Sequence, residues 1–580
     1  INLENLKADI RPRSLWWHRG RNLFCVWVRL RRVRVVRRVE YSHACRREMA
    51  KKLYICTFTA LRPAACGVSR CVASGGVGVK RYSTYNAFRM IVKKILSCAA
   101  VMSALLFSDV CAAQDALSLV PADAGVVMRI EAGRILEKMG GEEFISKVVV
   151  SDDDTAEMES FSLEGSGIAL DRPVYLSMRR DESLVAVMSV SDADDFARTA
   201  QMICEGKLQS RKGVSWIVDN ELCIVFDSDR AVVVSADKRA DAGYWRSALM
   251  SDDGRVKGLP ANGLRRLEES DADMFVMVSG SVVEEDELER MKDLYGNDMP
   301  VEDLTFVWSL DGDDGVARMH YGVVAESDAA AEYLNRNMIG MKRVEGRYAD
   351  CIPASSMFVI YSSIDGGSIS DMLSRLQILA DENESEDWAS LKRVVGSLSG
   401  DMAVVMGTPV VDGGSASIPA TVMARVKSRE IMDFVVQMFG DNVPVEKSDD
   451  GYVIGAGGDN IIMSCRNGDM VVTTVEGMAS LPRAAEPTTL KGSREGYGGL
   501  YLDMKGLLAA AGPLIGLLDG GGSAVSLLSR IECVESYAER PDSFLCTVRL
   551  SDERDNIYRI LADAIVAFEV EDDGEAVTEE

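Results

Sequence analysis

Histidine is scarce in this 580-residue chain, with only His18, His43 and His320, and that removes most mechanisms built on imidazole. Nothing after the first hundred or so residues reaches the roughly 20 apolar residues that a membrane-spanning helix needs. Leu507–Leu518 comes closest, and Pro513 with the adjoining Asp519-Gly-Gly-Gly stops it. No Gly-x-Ser-x-Gly elbow occurs, which leaves an α/β-hydrolase reading without its nucleophile. Gly455-Ala-Gly-Gly458 and Gly520-Gly-Gly522 lack the Gly-Lys-Ser/Thr that contacts phosphate and metal, and read as turns or hinges. Asp152–Asp154 and Asp311-Gly-Asp313-Asp314-Gly315 lack the ligand alternation and distal glutamate of an EF-hand, and read as solvated loops. No cofactor and no metal site is expected.

Charge is distributed unevenly. The chain holds 65 Lys+Arg against 90 Asp+Glu, yet residues 1–89 carry 20 basic and 4 acidic residues while 90–580 carry 45 and 86. The first segment has Arg runs, Trp16, Trp17 and Trp27, and five cysteines without metal-ligand spacing. A basic arm for nucleic acid or anionic lipid is one reading of it, and upstream sequence preceding the true start is the preferred one. The next two dozen residues decide the preference: Met90-Ile-Val-Lys93-Lys94 is a charged n-region, Ile95–Phe107 an apolar core, and Val110-Cys111-Ala112-Ala113 offers small residues for cleavage. A signal peptide over 90–113 works only at an N-terminus, so translation is expected to start at Met90. Cleavage near Ala113 is favoured, with Cys111 as the candidate lipidation site in the alternative of an anchored protein. The chain from Gln114 onward holds 43 basic and 85 acidic residues, a balance that repels polyanions and argues against a nucleic-acid partner.

The rest repeats itself. Val120-Pro121-Ala122-Asp123 returns as Ile352-Pro353-Ala354-Ser355, and Asp171-Arg-Pro-Val-Tyr-Leu as Asp401-Met-Ala-Val-Val-Met. The strand Leu184–Val190, with a helix N-capped by Ser191 and reaching Ile203, matches Thr421–Val426 with Ser428 and a helix reaching Phe439. A hairpin and helix, Leu304–Val323 with Asp328–Met338, match Ile531–Leu550 with Asn556–Phe568. Ordered matches at a near-constant offset imply a tandem duplication. The expected division is 114–341 and 342–568, with an acidic disordered tail, 569–580, after it.

Within each half, runs such as Gly213–Val218, Leu222–Asp227 and Ala231–Ser235, and later Tyr452–Gly455, Asn460–Cys465 and Met470–Thr474, read as strands joined by short polar turns. Strand pairs succeeded by single helices, without βαβ alternation, predict an α+β fold. Two tandem homologous halves are expected, each with a mainly antiparallel sheet and packed helices.

Few side chains stand out for chemistry. His320 lies in an apparent hairpin strand; as a base it would need a nucleophile or an orienting carboxylate beside it, and otherwise it is an ordinary strand histidine. Six cysteines lie beyond residue 113, and Cys533 and Cys546, which flank the predicted 538–542 turn, are the candidates for a disulfide. With so many acidic residues, no pair can be singled out for glycoside hydrolysis.

Asp115-Ala-Leu-Ser-Leu-Val-Pro121-Ala-Asp-Ala-Gly-Val-Val-Met-Arg-Ile130, then Ile135-Leu-Glu-Lys138 and Gly167-Ile-Ala-Leu-Asp171-Arg-Pro-Val174, resembles the domain of unknown function 4836 family of exported Bacteroidota proteins. The resemblance covers most of Asp115–Phe568. It implies export and a common architecture, and it brings no catalytic residue. The expected function is therefore that of an exported envelope or secreted protein, periplasmic, on the cell surface or extracellular, binding a protein or glycan partner without catalysis. A carboxylate-based hydrolase working on glycans or peptides in a cleft between the halves is the alternative.

Overall fold

In the computed structural model the described residues lie between 116 and 563, with interruptions of which 145–164 is the longest. The expected leader, signal peptide, Cys111, Asp152–Asp154 and acidic tail fall outside them.

The fold is α+β, built on an antiparallel sheet of 21 strands. Its first ten are β1 (Ala124–Ile130), β2 (Val174–Arg179), β3 (Leu184–Ser189), β4 (Gln209–Arg211), β5 (Val214–Val218), β6 (Leu222–Phe226), β7 (Arg230–Ser235), β8 (Met274–Ser279), β9 (Leu304–Asp313) and β10 (Val316–Ala325). They pair in the order 4-5-6-7-3-2-1-8-9-10. Next come β11 (Met341–Lys342), β12 (Phe358–Asp365), β13 (Leu398–Met406), the separate hairpin β14 (Val410–Asp412) and β15 (Ser415–Ser417), and β16 (Ala420–Val426). The series ends with β17 (Val445–Lys447), β18 (Gly451–Ala456), β19 (Asp459–Arg466), β20 (Asp469–Thr473), β21 (Gly498–Asp503), β22 (Ile531–Arg540) and β23 (Ser543–Leu550). Here the order is 17-18-19-20-16-13-12-21-22-23. Strand for strand this is the order of the first ten, and β11 extends β12 at its far end.

The two arrays are continuous. β10 pairs with β23, with Met319 opposite Cys546, so the last strand of each array is the other's neighbour. A hydrogen-bonded ladder therefore runs between the arrays, where the hydrolase alternative placed its cleft.

Helices cover both faces. They are α1 (Ala132–Met139), α2 (Ala193–Ile203), α3 (Asp241–Ser251), α4 (Ala261–Glu269), α5 (Asp328–Asn337), α6 (Gly366–Leu379), α7 (Glu386–Ser397), α8 (Glu430–Phe439), α9 (Met504–Ile515) and α10 (Gly521–Ser529). In the first array one face of the sheet packs Val127, Val187, Val232 and Met277 on Trp245 of α3 and Leu267 of α4. The other packs Val174, Ile217 and Ile224 on Leu136 of α1 and Phe196 of α2. Period-two alternation of apolar residues, which sends neighbours to opposite faces, is what lets one strand feed both cores. The second array divides likewise between a core around Tyr348, Val359 and Met423 and one around Met432, Ile454 and Met463.

Local chemistry sets the boundaries. Asp192, not Ser191, caps α2, its carboxylate accepting from the Asp194 and Asp195 amides at 2.9 Å. Lys212-Gly213 and Asn467-Gly468 both carry two successive positive φ angles, the backbone of the tight hairpin turn that glycine and asparagine favour. Gly521 and Gly522, expected in a turn, begin α10. No described helix is long and apolar enough to cross a membrane.

Candidate functional site

The most unusual chemistry in the described residues lies where the end of the second array meets the first. Asp273, just before β8, is wholly buried, and its backbone carbonyl accepts from the Glu131 amide at 2.8 Å. Its Oδ2 takes Lys138 Nζ, from the last turn of α1, at 2.6 Å and the Gly312 amide at 2.9 Å. Its Oδ1 has no hydrogen-bond partner; Arg134 Nε stands 3.7 Å away. The Tyr558 hydroxyl, in a residue 3% exposed, is also unpartnered, and Lys138 Nζ sits 5.9 Å from the centroid of its ring.

The buried charge of Asp273 acts on its neighbours. Burial, with the negative charge of Asp273 beside it, pushes the Tyr558 hydroxyl above the ordinary tyrosine range. Burial, then Asp273 and Asp313, pushes the Asp311 carboxyl up, against the pull of Lys138 3.9 Å away. Native interiors seldom leave buried polar groups unpaired, and each unpaired group costs roughly 1–3 kcal/mol. Two in one cluster, with a perturbed carboxyl beside them, mark a functional candidate.

The second array holds a comparable cluster in which every polar group is met. Arg347 grips Asp469 through Nε at 2.5 Å and Nη2 at 2.6 Å, and Tyr348 donates to the same carboxylate at 2.9 Å. Burial opposes ionisation of Asp469, but the hydrogen bonds from Arg347 and Tyr348 outweigh it and hold the carboxyl below its ordinary value. Asp401 Oδ2 accepts from Tyr361 and from the Arg347 amide, both at 2.9 Å. This network ties the 343–351 segment to the sheet and leaves nothing over for chemistry.

His320 does have a hydroxyl beside it: its Nε2 lies 2.8 Å from Ser543 Oγ. Burial, then the positive charge of Arg266, holds its pKa below the ordinary histidine value. Yet β10 and β23 each have a partner strand on both sides. Their amides are spent in ladders and supply no oxyanion donors of the kind acyl transfer needs.

Cys533 and Cys546 are not brought together. Cys533 is opposite Arg549 and Cys546 opposite Ser536. The odd spacing puts them on opposite faces of the ribbon, and both are free thiols. Of Asp311-Gly-Asp313-Asp314-Gly315, expected as a solvated loop, only Asp314-Gly315 forms the β9–β10 turn; Asp311–Asp313 end β9 with Gly312 buried, and among the described residues no group of three His, Cys, Asp or Glu side chains could hold a metal. What sequence reasoning missed was Asp273 and Tyr558, separated by 285 positions; Lys138, in the quoted Ile135-Leu-Glu-Lys138 segment, was the one visible signal.

No curated protein matches this chain. Among solved structures, one titled "Structure of crystal form IV of TP0453" matches at 12% identity and a TM-score of 0.24, covering 38% of this chain and 96% of that one. Another, "Structure of crystal form III of TP0453", matches at 12% identity and a TM-score of 0.21, covering 64% and 98%. Likeness this slight carries no argument about either fold or function. The family model described as "Domain of unknown function (DUF4836)" matches residues 164–479, more than half of the 580. The chain belongs to that family.

Proposed function

We propose that this chain is an exported binding protein of the cell envelope, without catalytic activity, in which two tandem homologous halves, 114–341 and 342–568, form a scaffold for a protein or glycan partner. Export rests on the n-region, apolar core and small residues of 90–113, with Met90 as the start and 1–89 as upstream sequence. Duplication rests on the ordered sequence matches and the common strand order.

The observation that carries the binding reading is a difference between equivalent connections. β2 turns into β3 through the tight, charged Arg179–Leu184 segment, with the Arg179 amide donating to Ser183 O at 3.0 Å. At the same place in the second array, Gly407–Pro419 projects the hairpin β14–β15, with Val410 53% and Ile418 44% exposed. Those 13 residues contain one charge, Asp412, in a chain that is 27% charged. The first array closes without such a hairpin, so it is an elaboration on the scaffold, at the kind of surface position where recognition concentrates. The acidic balance from Gln114 onward, 43 basic against 85 acidic residues, argues against polyanionic partners.

A hydrolase would need a carboxylate pair open to substrate. The carboxyl that burial and its neighbours raise is Asp311, and the carboxylate beside it, Asp273, is wholly buried. The test is a photo-crosslinking residue at Val410 and, as control, at Leu184. The expected result is one discrete adduct in intact cells from position 410 and none from 184. Turnover of a glycan or peptide panel by the purified chain, abolished by one Asp or Glu substitution that leaves folding intact, would refute the proposal.

A further inference from the structure

The ladder that runs through both arrays stops at β4 on one side and β17 on the other. Among the described residues β4 pairs only with β5, and β17 only with β18, and every residue of both strands is exposed. Turn geometry decides which of their backbone groups point away. Lys212 and Gly213 are the two left-handed residues of a tight turn, so Arg211 and Val214 beside them exchange hydrogen bonds, and Ser210 turns its amide and carbonyl outward. In the other hairpin the Ser448 amide donates to Gly451 O and the Gly455 amide to Pro444 O, both at 2.9 Å. Alternation then spends Glu446 on β18 and turns Val445 and Lys447 outward. The two edges differ in charge, although their strands are equivalent in order. Lys207-Leu-Gln-Ser-Arg211-Lys212 holds three cations and no anion, whereas Val445-Glu446-Lys447-Ser-Asp449-Asp450 holds three carboxylates and one cation. Exposed apolar side chains accompany both: Met202, Ile203 and Leu208 lead into β4, and Val445 opens β17.

We infer that β4 of one copy of this chain pairs antiparallel with β17 of a second copy, continuing the sheet from molecule to molecule. Outward-facing residues must meet outward-facing residues. With Ser210 exchanging both bonds with Lys447, Arg211 comes directly opposite Glu446 in the close, non-hydrogen-bonded position, and Lys207 comes opposite Asp450. The alternative register, Ser210 with Val445, sets Arg211 opposite Pro444 and forfeits that ion pair. The surfaces that meet are different, so the contact is head to tail, and each added copy leaves one edge open for the next. Strands of three residues bury little against the seven paired positions that join β10 to β23, so the association is weak and reversible. The net negative charge of the chain opposes it at long range. At about 0.15 M salt that repulsion is screened beyond about 8 Å, while directly opposed pairs still act.

The test is sedimentation velocity of the purified intact chain over a range of concentrations at about 0.15 M salt, with the charge reversals Arg211→Glu and Glu446→Arg. Both positions are exposed, so neither reversal disturbs the core, and circular dichroism checks that each variant is folded. The wild type is expected to show an average mass that rises with concentration. Each variant alone sets like charges opposite one another and should associate about tenfold more weakly, the scale of turning a cross-strand attraction into a repulsion. Mixed in equal amounts, the two variants should regain the association of the wild type, because the two reversed edges complement each other and so do the two unaltered ones. Pairing of β4 with β4, or of β17 with β17, would not give that recovery. A wild type that stays monomeric at the highest concentration reached, variants that associate as the wild type does, or a mixture no better than its components would overturn the inference.

Discussion

Asp171 and Asp401 open two segments of similar sequence, Asp171-Arg-Pro-Val-Tyr-Leu and Asp401-Met-Ala-Val-Val-Met, yet the structure gives them different work, and their alanine variants should differ accordingly. Asp401, 2% exposed, accepts from the Glu345 amide at 3.0 Å, the Arg347 amide at 2.9 Å and the Tyr361 hydroxyl at 2.9 Å. Tyr361 in turn accepts from the Tyr348 amide at 3.0 Å, so the loss travels to the next residue. Asp401→Ala strands three donors, each worth roughly 1–3 kcal/mol when buried without a partner. Relief from desolvating the carboxylate offsets part of this, leaving an expected cost of about 3–5 kcal/mol. Asp171 is exposed and pairs only with its neighbour Arg172, at 3.9 Å; its replacement should cost less than about 0.5 kcal/mol. The assay is equilibrium urea unfolding of both variants monitored by far-UV circular dichroism, with slopes compared to detect loss of two-state behaviour. A loss below about 1 kcal/mol at Asp401, or equal losses at both sites, would refute the account of the second-array network.

Two further outcomes are expected. Ile217 and Ile454 are both fully buried in equivalent strands, opposite Ile224 and Ile461; Ile217→Ala and Ile454→Ala should each cost about 2–5 kcal/mol in urea unfolding, and tolerance at either site would break the equivalence of the arrays. His320, with a pKa held below its ordinary value by burial and Arg266, favours the neutral imidazole when folded. Its stabilising contribution is complete above the ordinary histidine pKa of about 6.5 and is lost as pH falls through the lowered value. His320→Gln should therefore lose less stability than the wild type between pH 7 and pH 5, measured by thermal unfolding.

Local pattern made much of the fold readable. The runs around 213–235 and 452–474 became β5–β6–β7 and β18–β19–β20 because alternating apolar residues and Asn-Gly or Asp-rich turns act over a few positions. The amphipathic stripe of Phe196, Ala197 and Ala200 made α2 visible for the same reason. β8 and β21 were not anticipated, and neither was the joining of β10 to β23. Pairings between distant strands leave no periodic trace, and register decides them. Cys533 and Cys546 show the limit: they flank a turn, yet three positions of register separate them. Asp273 looked like any of 90 acidic residues until burial set it apart.

The central structural claim is that two arrays of identical order are joined through β10 and β23, with Met319 facing Cys546. The Val323 amide donates to Asp542 O at 2.9 Å, and counting along the ladder makes 319 and 546 a hydrogen-bonded pair, with Cα atoms about 5.5 Å apart. That spacing lies within the range disulfides span. Met319→Cys, oxidised mildly and mapped by mass spectrometry, should form an intramolecular bond to Cys546, while Arg318→Cys, on the opposite face, should form none. Failure of the first to cross-link, or equal cross-linking by both, would contradict a continuous sheet in this register.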